Sequence, residues 1–261
     1  MTINLRARLA AGDTLVGTFC AIPHPAAVEM VATAGFDFLC LDAEHSAIGR
    51  STAEAMIRAA SASGVPALIR VAGNTPELIG GALDAGAAGV IVPRVNSAEE
   101  AAQAVSAARY PPLGARGAGP GRATGYGSDI PRYLATANDD LLLAVQVETT
   151  QAVTEAAQIA AVDGIDLLFI GPGDLAVSVA ADRQGAADPQ ELSQMMSSVV
   201  AAAKNGRRHS GLFRPDATDL GHWSRAGASL FILGAESMFM MSAARAATVQ
   251  AREQLAGVAG V

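Results

Sequence analysis

The run PALIRVAGNTPELIGGALDAGAAGVIVPRV, residues 66–95, decides the fold. It opens and closes on short apolar runs, 66–71 and 89–95, whose apolar residues are continuous rather than alternating. That is the pattern of parallel strands covered on both faces. Between them, Asn74-Thr75-Pro76-Glu77 supplies a cap and then a proline at the first turn of a helix that runs to residue 85. Gly86 and Gly89 end that helix and feed the next strand. The unit reads strand, helix, parallel strand.

The same unit recurs along the chain. Further strand candidates occupy 15–22, 37–43, 141–148, 166–171, 210–214 and 229–234. Further helix candidates occupy 25–34, 51–63, 98–108, 150–161, 189–205, 217–226 and 235–256. Eight strands and eight helices in 261 residues predict an α/β protein, a single-domain (β/α)8 TIM barrel spanning 1–261. A doubly wound open sheet would want a Gly-rich nucleotide turn after the first strand, and Ala21-Ile22-Pro23-His24-Pro25 is not one. The longest irregular stretch, 110–133, is dense in Gly, Pro and Arg. It reads as a functional loop, a subunit contact or a surface excursion.

Composition narrows the function. The chain is 51% hydrophobic and 16% charged, which excludes disorder. Its 18 basic and 25 acidic side chains give a net charge of −7, and no Lys/Arg cluster offers a surface to nucleic acid or an anionic membrane. No apolar run approaches the roughly 18 residues of a membrane span. The opening MTINLRARLAAGDT lacks the apolar core of a signal peptide. Cys20 and Cys40 lie in apolar runs and are too few for a thiolate zinc site. Read as buried free thiols, they place the protein in the reducing cytoplasm. Lys204 is the only lysine and sits at the polar end of a helix, a poor place for a Schiff-base lysine that needs desolvation.

In such a barrel the site is built at the C-terminal ends of the strands. Asp42-Ala43-Glu44-His45, Arg70, Arg94, Gln146-Val147-Glu148, Gly171-Pro172-Gly173-Asp174, Arg214 and Glu236 fall there. Ionisable groups on an apolar barrel are costly unless paired or ligating a metal. Glu148 and Asp174, on adjacent strand ends, suit one hard cation, Mg²⁺ or Mn²⁺ rather than zinc. The other reading has each carboxylate capping the helix that follows it. His45, beside Asp42 and Glu44, suits a general base because imidazole titrates near working pH. His24, His209 and His222 read as structural. Arg70 must meet an anion inside its apolar strand, either a substrate carboxylate or enolate, or Asp42 or Glu44 as an ion pair. Asp84 either ends its helix or reaches across to orient His45. Gly171-Pro172-Gly173 presents N–H groups at a helix start, suited to a small carboxylate. Arg214 reads equally as an additional anion site or a surface salt bridge.

At these residues the sequence resembles the HpcH/HpaI aldolase family, metal-dependent aldolases of 2-keto-3-deoxy acids. The resemblance covers nearly the whole chain. It rests on AGFDFLCLDAEHS (34–46), LIRVAGNTPELIGGALDAGAAGVIVPRV (68–95), RYPPLGARG (109–117), VQVET (145–149) and DLLFIGPGDL (166–175). It implies a (β/α)8 barrel in a homo-oligomer, a hexamer or trimer, with the C-terminal helix at about 235–256 exchanged between subunits. It further implies a divalent cation, Mg²⁺, Mn²⁺ or Co²⁺, on Glu148 and Asp174. In the catalytic group, His45 is the base at the pyruvate methyl, Asp84 raises its basicity and Arg70 stabilises the enolate, with Asp42 beside them. Gln146 and Gly173 contact the substrate. The activity implied is reversible aldol cleavage of a 4-hydroxy-2-oxo acid to an aldehyde and pyruvate, or a related 2-oxo acid such as hydroxypyruvate. The alternative is a related metal–enolate lyase acting on a thioester, or a decarboxylase. A thioester enzyme wants a basic coenzyme A surface, which this acidic chain does not advertise.

Overall fold

The computed structural model describes residues 3–258. The first half of the chain runs α1 (Leu5–Ala10), β1 (Leu15–Cys20), α2 (Pro25–Ala32), β2 (Phe38–Asp42), α3 (Arg50–Ala62), β3 (Ala67–Arg70), α4 (Pro76–Asp84), β4 (Gly89–Val92) and α5 (Ala98–Ala108). A single 3-10 turn at Arg122–Thr124 precedes α6 (Ile130–Asp140) and β5 (Leu142–Val147). Then follow α7 (Thr150–Thr154), α8 (Ala156–Ala161), β6 (Leu167–Ile170), α9 (Pro172–Arg183), α10 (Pro189–Asn205), β7 (His209–Arg214), α11 (Leu220–Ala226), β8 (Leu230–Ala235) and α12 (Glu236–Val258). Each strand pairs in parallel with the next, and β8 closes on β1. The expected (β/α)8 barrel forms, with the helices around it.

All eight expected strands are present. Six are shorter than their apolar runs: each of these loses one to three residues at its C-terminal end, and β2, β3, β5 and β6 also lose their first residue. The barrel interior is packed by Leu15, Phe19, Phe38, Leu68, Ile91 and Phe169, among others. α1 closes its N-terminal end: Leu5 and Leu9, each 1% exposed, join that interior cluster. Each such burial is worth about 1.5–3 kcal/mol. Gly89 lets β4 lie close to β5, since a Cβ there would stand 2.1 Å from the Leu142 carbonyl oxygen. Gly86, at φ +92°, ends α4 as the sequence required.

Three helices were not among the sequence candidates: α1, α6 and α9. The irregular stretch therefore stops at residue 129, where the Asp129 side chain caps α6 and Pro131 follows in its first turn. The helix expected over 150–161 is interrupted at Glu155 into α7 and α8. α12 departs from barrel practice. From residue 238 to 256 every residue is exposed, Met238, Met240, Met241, Val249 and Leu255 included. No helix among the described residues is long and apolar enough to cross a membrane.

Candidate active site

The C-terminal mouth is organised from β2 and β3. Asp42 and Arg70 end these strands and are register partners. Arg70 grips Asp42 through two bonds, Nε to Oδ1 at 3.0 Å and Nη2 to Oδ2 at 2.7 Å. Its guanidinium lies 4.3 Å from the centre of the Phe19 ring, and Nη1 takes no part in these bonds. Of the two readings of Arg70, the ion pair with Asp42 is what forms within the chain. Asp42 Oδ1 also accepts from the backbone N–H of Glu44 and His45, both at 3.2 Å, and the Ser46 hydroxyl donates to the Asp42 carbonyl. One carboxylate thus fixes both the arginine and the turn that presents His45.

Glu44 lies at the centre of the mouth with its side chain only 6% exposed. Its Oε2 is 3.5 Å from His45 Nε2 and 3.5 Å from Arg70 Nε, and Oε1 is 3.6 Å from Arg94 Nε. Burial pushes its carboxyl above the ordinary glutamate range, while Arg70, His45 and Arg94 pull it back. His45 is half exposed, with Nε2 4.0 Å from Asp174 Oδ2. Glu148 follows β5 and is 2% exposed. It accepts from the Arg94 backbone N–H at 2.7 Å and from Gln146 Nε2. Burial raises its pKa, and the negative charges of Glu44 and Asp174 add to the rise, against the lowering by those two bonds. Gly171 makes room for this pair: a Cβ there would stand 3.1 Å from both Gln146 Nε2 and Glu148 Oε2. Asp174 lies in the first turn of α9, exposed at the mouth, and Gly173 precedes it with open space where a side chain would be.

Asp84 is not brought to His45 within the chain. α4 runs from the C-terminal end of β3 back to the N-terminal end of β4, so its last residue lies at the opposite end of the barrel. There Asp84 accepts from Arg116 Nη2 at 2.7 Å and lines an outer groove of about 620 Å³ with Arg50, Asn74 and Gln103. Arg214 is held by Asp219, which also accepts from Trp223 Nε1 at 3.0 Å. Its salt-bridge reading is therefore the one the structure has. His24 caps α2, His209 lies 3.3 Å from the Ser229 hydroxyl with its pKa lowered by burial, and the His222 ring meets Trp223 edge to face. Glu236 accepts from the N–H groups of Ala21 and Ile22 at 2.7 and 2.6 Å, tying the loop after β1 to the end of β8. Both cysteines are buried, and burial pushes the Cys20 thiol up to about 12.

A sequence profile described as HpcH/HpaI aldolase/citrate lyase matches residues 15–243. The chain belongs to the HpcH/HpaI aldolase/citrate lyase family. It is 35% identical over 245 residues to a hydroxypyruvate/pyruvate aldolase of Roseovarius nubinhibens, covering 94% of this chain and 95% of that one. It is 34% identical to a 5-keto-4-deoxy-D-glucarate aldolase of Klebsiella pneumoniae, covering 89% and 90%. The crystal structure of an HpcH/HpaI aldolase/citrate lyase family protein from Burkholderia cenocepacia superposes with a TM-score of 0.88 at 34% identity, covering 96% of this chain and all of that one.

The mouth of this HpcH/HpaI family member carries oxygen donors suited to a divalent cation. Among the described residues no three of His, Cys, Asp and Glu converge as a complete metal cage. Two carboxylates with positions left for water and substrate are how Mg²⁺ is commonly held. Two buried acceptors in the mouth, Glu44 Oε2 and Gln146 Oε1, have no hydrogen-bond partner among the described residues. Oxygen acceptors without donors, beside two further carboxylates, are a donor set that fits a hard cation. Sequence reasoning placed Glu44 in the acidic cluster but not at its centre, and it gave the Arg94 backbone no role. The signal for Arg94 was its place right after Pro93, where the strand must turn into the mouth.

Proposed function

We propose that the protein is a divalent-metal-dependent pyruvate aldolase. It would split a 4-hydroxy-2-oxo acid into an aldehyde and pyruvate or a close 2-oxo acid such as hydroxypyruvate, and run the reverse. The observation that carries this reading is the meeting of one imidazole, one buried guanidinium and carboxylates at and just past the ends of β2, β5 and β6 at a single barrel mouth. The names of the aldolase relatives support it.

Glu148 and Asp174 would hold Mg²⁺, Mn²⁺ or Co²⁺, which when bound supplies Lewis acidity at the 2-oxo group of the substrate. The N-terminus of α9, at Gly173, offers N–H groups to the substrate carboxylate, and Gln146, beside Glu148, would contact the bound acid. Arg70, braced by Asp42, donates through its free Nη1 to the oxygen on which enolate charge develops. His45 Nε2 takes the proton from the methyl carbon. That carbon then bonds to the aldehyde carbon, and the proton passes to the new hydroxyl oxygen. Asp84, remote within one chain, would act on His45 only across a subunit contact. The proposed assembly is a hexamer or trimer in which α12 packs on a neighbouring copy. The two buried thiols favour the reducing cytoplasm as its place.

The decisive measurement is proton exchange at the pyruvate methyl in D₂O, followed by NMR without any aldehyde. Exchange is expected with Mg²⁺ or Mn²⁺ and is expected to vanish with EDTA. His45→Ala should slow it by about 10²–10⁴, the usual weight of a general base, while still binding the cation. Absence of exchange under any metal would overturn the reading, and full exchange in His45→Ala would remove His45 as the base.

A further inference from the structure

We propose that Thr150, Ser178 and Asp182 form a clamp between α7 and α9 that sets the spacing of Glu148 and Asp174, and with it the affinity for and choice of the divalent cation. The proposal rests on the reading above, which gives the cation to those two carboxylates. They come from different elements and are held very differently. Glu148 is 2% exposed and accepts from the Arg94 N–H and from Gln146. Asp174 is half exposed, and the one basic group within 4.0 Å of it among the described residues is His45. Its carboxylate is therefore placed by the seating of α9 itself. That helix buries only Leu175 and Val179 of its twelve residues. Apolar contact is non-directional, so these two hold α9 against the barrel without fixing its rotation.

The spacing of the polar residues on α9 supplies what is missing. Asp174, Ser178 and Asp182 follow one another at intervals of four, which puts them in one stripe along the helix. Thr150, the first residue of α7, meets the lower two. Its backbone N–H donates to Ser178 Oγ at 3.1 Å, and its hydroxyl donates to Asp182 Oδ2 at 2.5 Å. An N–H in the first turn of a helix has no acceptor within that helix; here a neighbouring helix provides it. The two bonds fall on successive turns of α9, so together they resist both rotation and sliding. Thr150 is itself two residues from Glu148. Between them Thr149 accepts from the Ala152 N–H at 3.0 Å and donates to Asn96 Oδ1 at 2.6 Å, which fixes the start of α7 to the loop after β4. Asp174, at the top of the stripe, is thus registered to Glu148 through one threonine.

The consequence is chemical. Mg²⁺ demands near-ideal octahedral geometry with oxygens at about 2.0–2.1 Å, whereas Ca²⁺ accepts looser sets at about 2.3–2.6 Å. Two carboxylates held at a fixed spacing favour the smaller, stricter ion. Thr150, Ser178 and Asp182 touch neither cation nor substrate; they are positioning residues.

The test is calorimetric titration of Mg²⁺ and of Ca²⁺ into protein freed of metal with EDTA and dialysed. In Thr150→Val/Ser178→Ala the Kd for Mg²⁺ is expected to rise about tenfold, the low end for groups that orient metal ligands. The Kd for Ca²⁺ should rise by no more than about threefold, because its geometry is forgiving. Thr150→Ser keeps the hydroxyl and Asp182→Asn keeps an acceptor, and both should bind like the wild type. Should the double variant not fold, Asp182→Ala, at an exposed site, removes the hydroxyl bond alone and should weaken Mg²⁺ selectively. Unchanged Mg²⁺ binding overturns the proposal, as does an equal loss of both cations. Pyruvate methyl exchange is followed on the same wild-type preparation. Metal-dependent exchange with unchanged variant affinities rejects the clamp alone. A wild type that binds neither cation rejects the metal reading together with the clamp. Selective loss of Mg²⁺ in the variants, without exchange in the wild type, keeps the clamp and rejects the aldolase chemistry.

Discussion

Glu148 is a carboxylate buried where charge is costly. Its pKa is raised by burial and by neighbouring acidic groups. The native state therefore holds this proton more tightly than the unfolded chain. Its contribution to stability falls as pH climbs from the ordinary glutamate value near 4.5 through the raised value. A bound cation offsets the charge and reverses the effect. Glu148→Gln is expected to raise the metal-free Tm at neutral pH by about 2–4 °C, the shift that 1 kcal/mol gives a chain of this size. The gain should shrink as pH approaches 4.5. Mg²⁺ at a hundred times its Kd should stabilise the wild type by about 2.7 kcal/mol and the variant far less. Thermal scans across pH, with and without metal, check both statements. At this scale the sequence was informative where a strand end carried an unusual group, as at Arg70 and Glu148. It left Asp84 open between ending its helix and reaching across to His45, and within the chain it ends α4 and meets Arg116 instead.

Among the elements, the strands were the easiest to read. Each is buried on both faces, so its apolar run stands out from the Ala-rich helices. The missed helices lack that contrast. α1 has six residues, α9 starts Pro-Gly and buries only Leu175 and Val179, and α6 hides behind a Gly- and Pro-rich run. Such elements are set by tertiary contacts more than by their own pattern. α12 has the opposite problem: it was found from sequence, but its own chain leaves residues 238–256 exposed. Phe239 stacks on Phe36 at 6.4 Å, and beyond it the helix exposes Met240, Met241, Val249 and Leu255. On the proposed assembly, a chain ending at Ser242 keeps the Phe36 contact and is expected to sediment as a monomer, and the full chain is expected to sediment as an oligomer. An oligomer of unchanged size in the shortened protein would mean that α12 is not its interface.

The molecule as a whole is closed at both ends by ion pairs of different purpose. The mouth holds charges that a ligand can reach. At the other end Arg109, 1% exposed, donates to the carbonyls of Asn138, Leu141 and Gly164 and to Asp166 at 2.6 Å. Asp166 is gripped from the far side by Arg6 of α1 at 2.7 Å. Arg109→Met leaves a buried carboxylate short of a partner and the Leu141 and Gly164 carbonyls without this donor, while the Asn138 carbonyl keeps Arg6. It should cost about 3–5 kcal/mol, measured by urea unfolding, with the mouth's chemistry unchanged in the fraction that folds. The RYPPLGARG motif marked Arg109 as a point of resemblance, but only the fold shows that it works on the face away from the site.

The bond from Ala21 to Glu236 has a consequence in time. These residues are 215 positions apart, and β1 gains its second neighbour only when β8 arrives. At synthesis rates of about 5–20 residues per second, the start of the chain waits about 10–40 s on the ribosome for the end that completes it. Throughout that interval one edge of β1 is bare, and the loop after it has no anchor. A nascent chain in this condition is open to association with its neighbours on the same messenger, so chaperones that shelter unfinished edges should matter more to its yield than to its final stability.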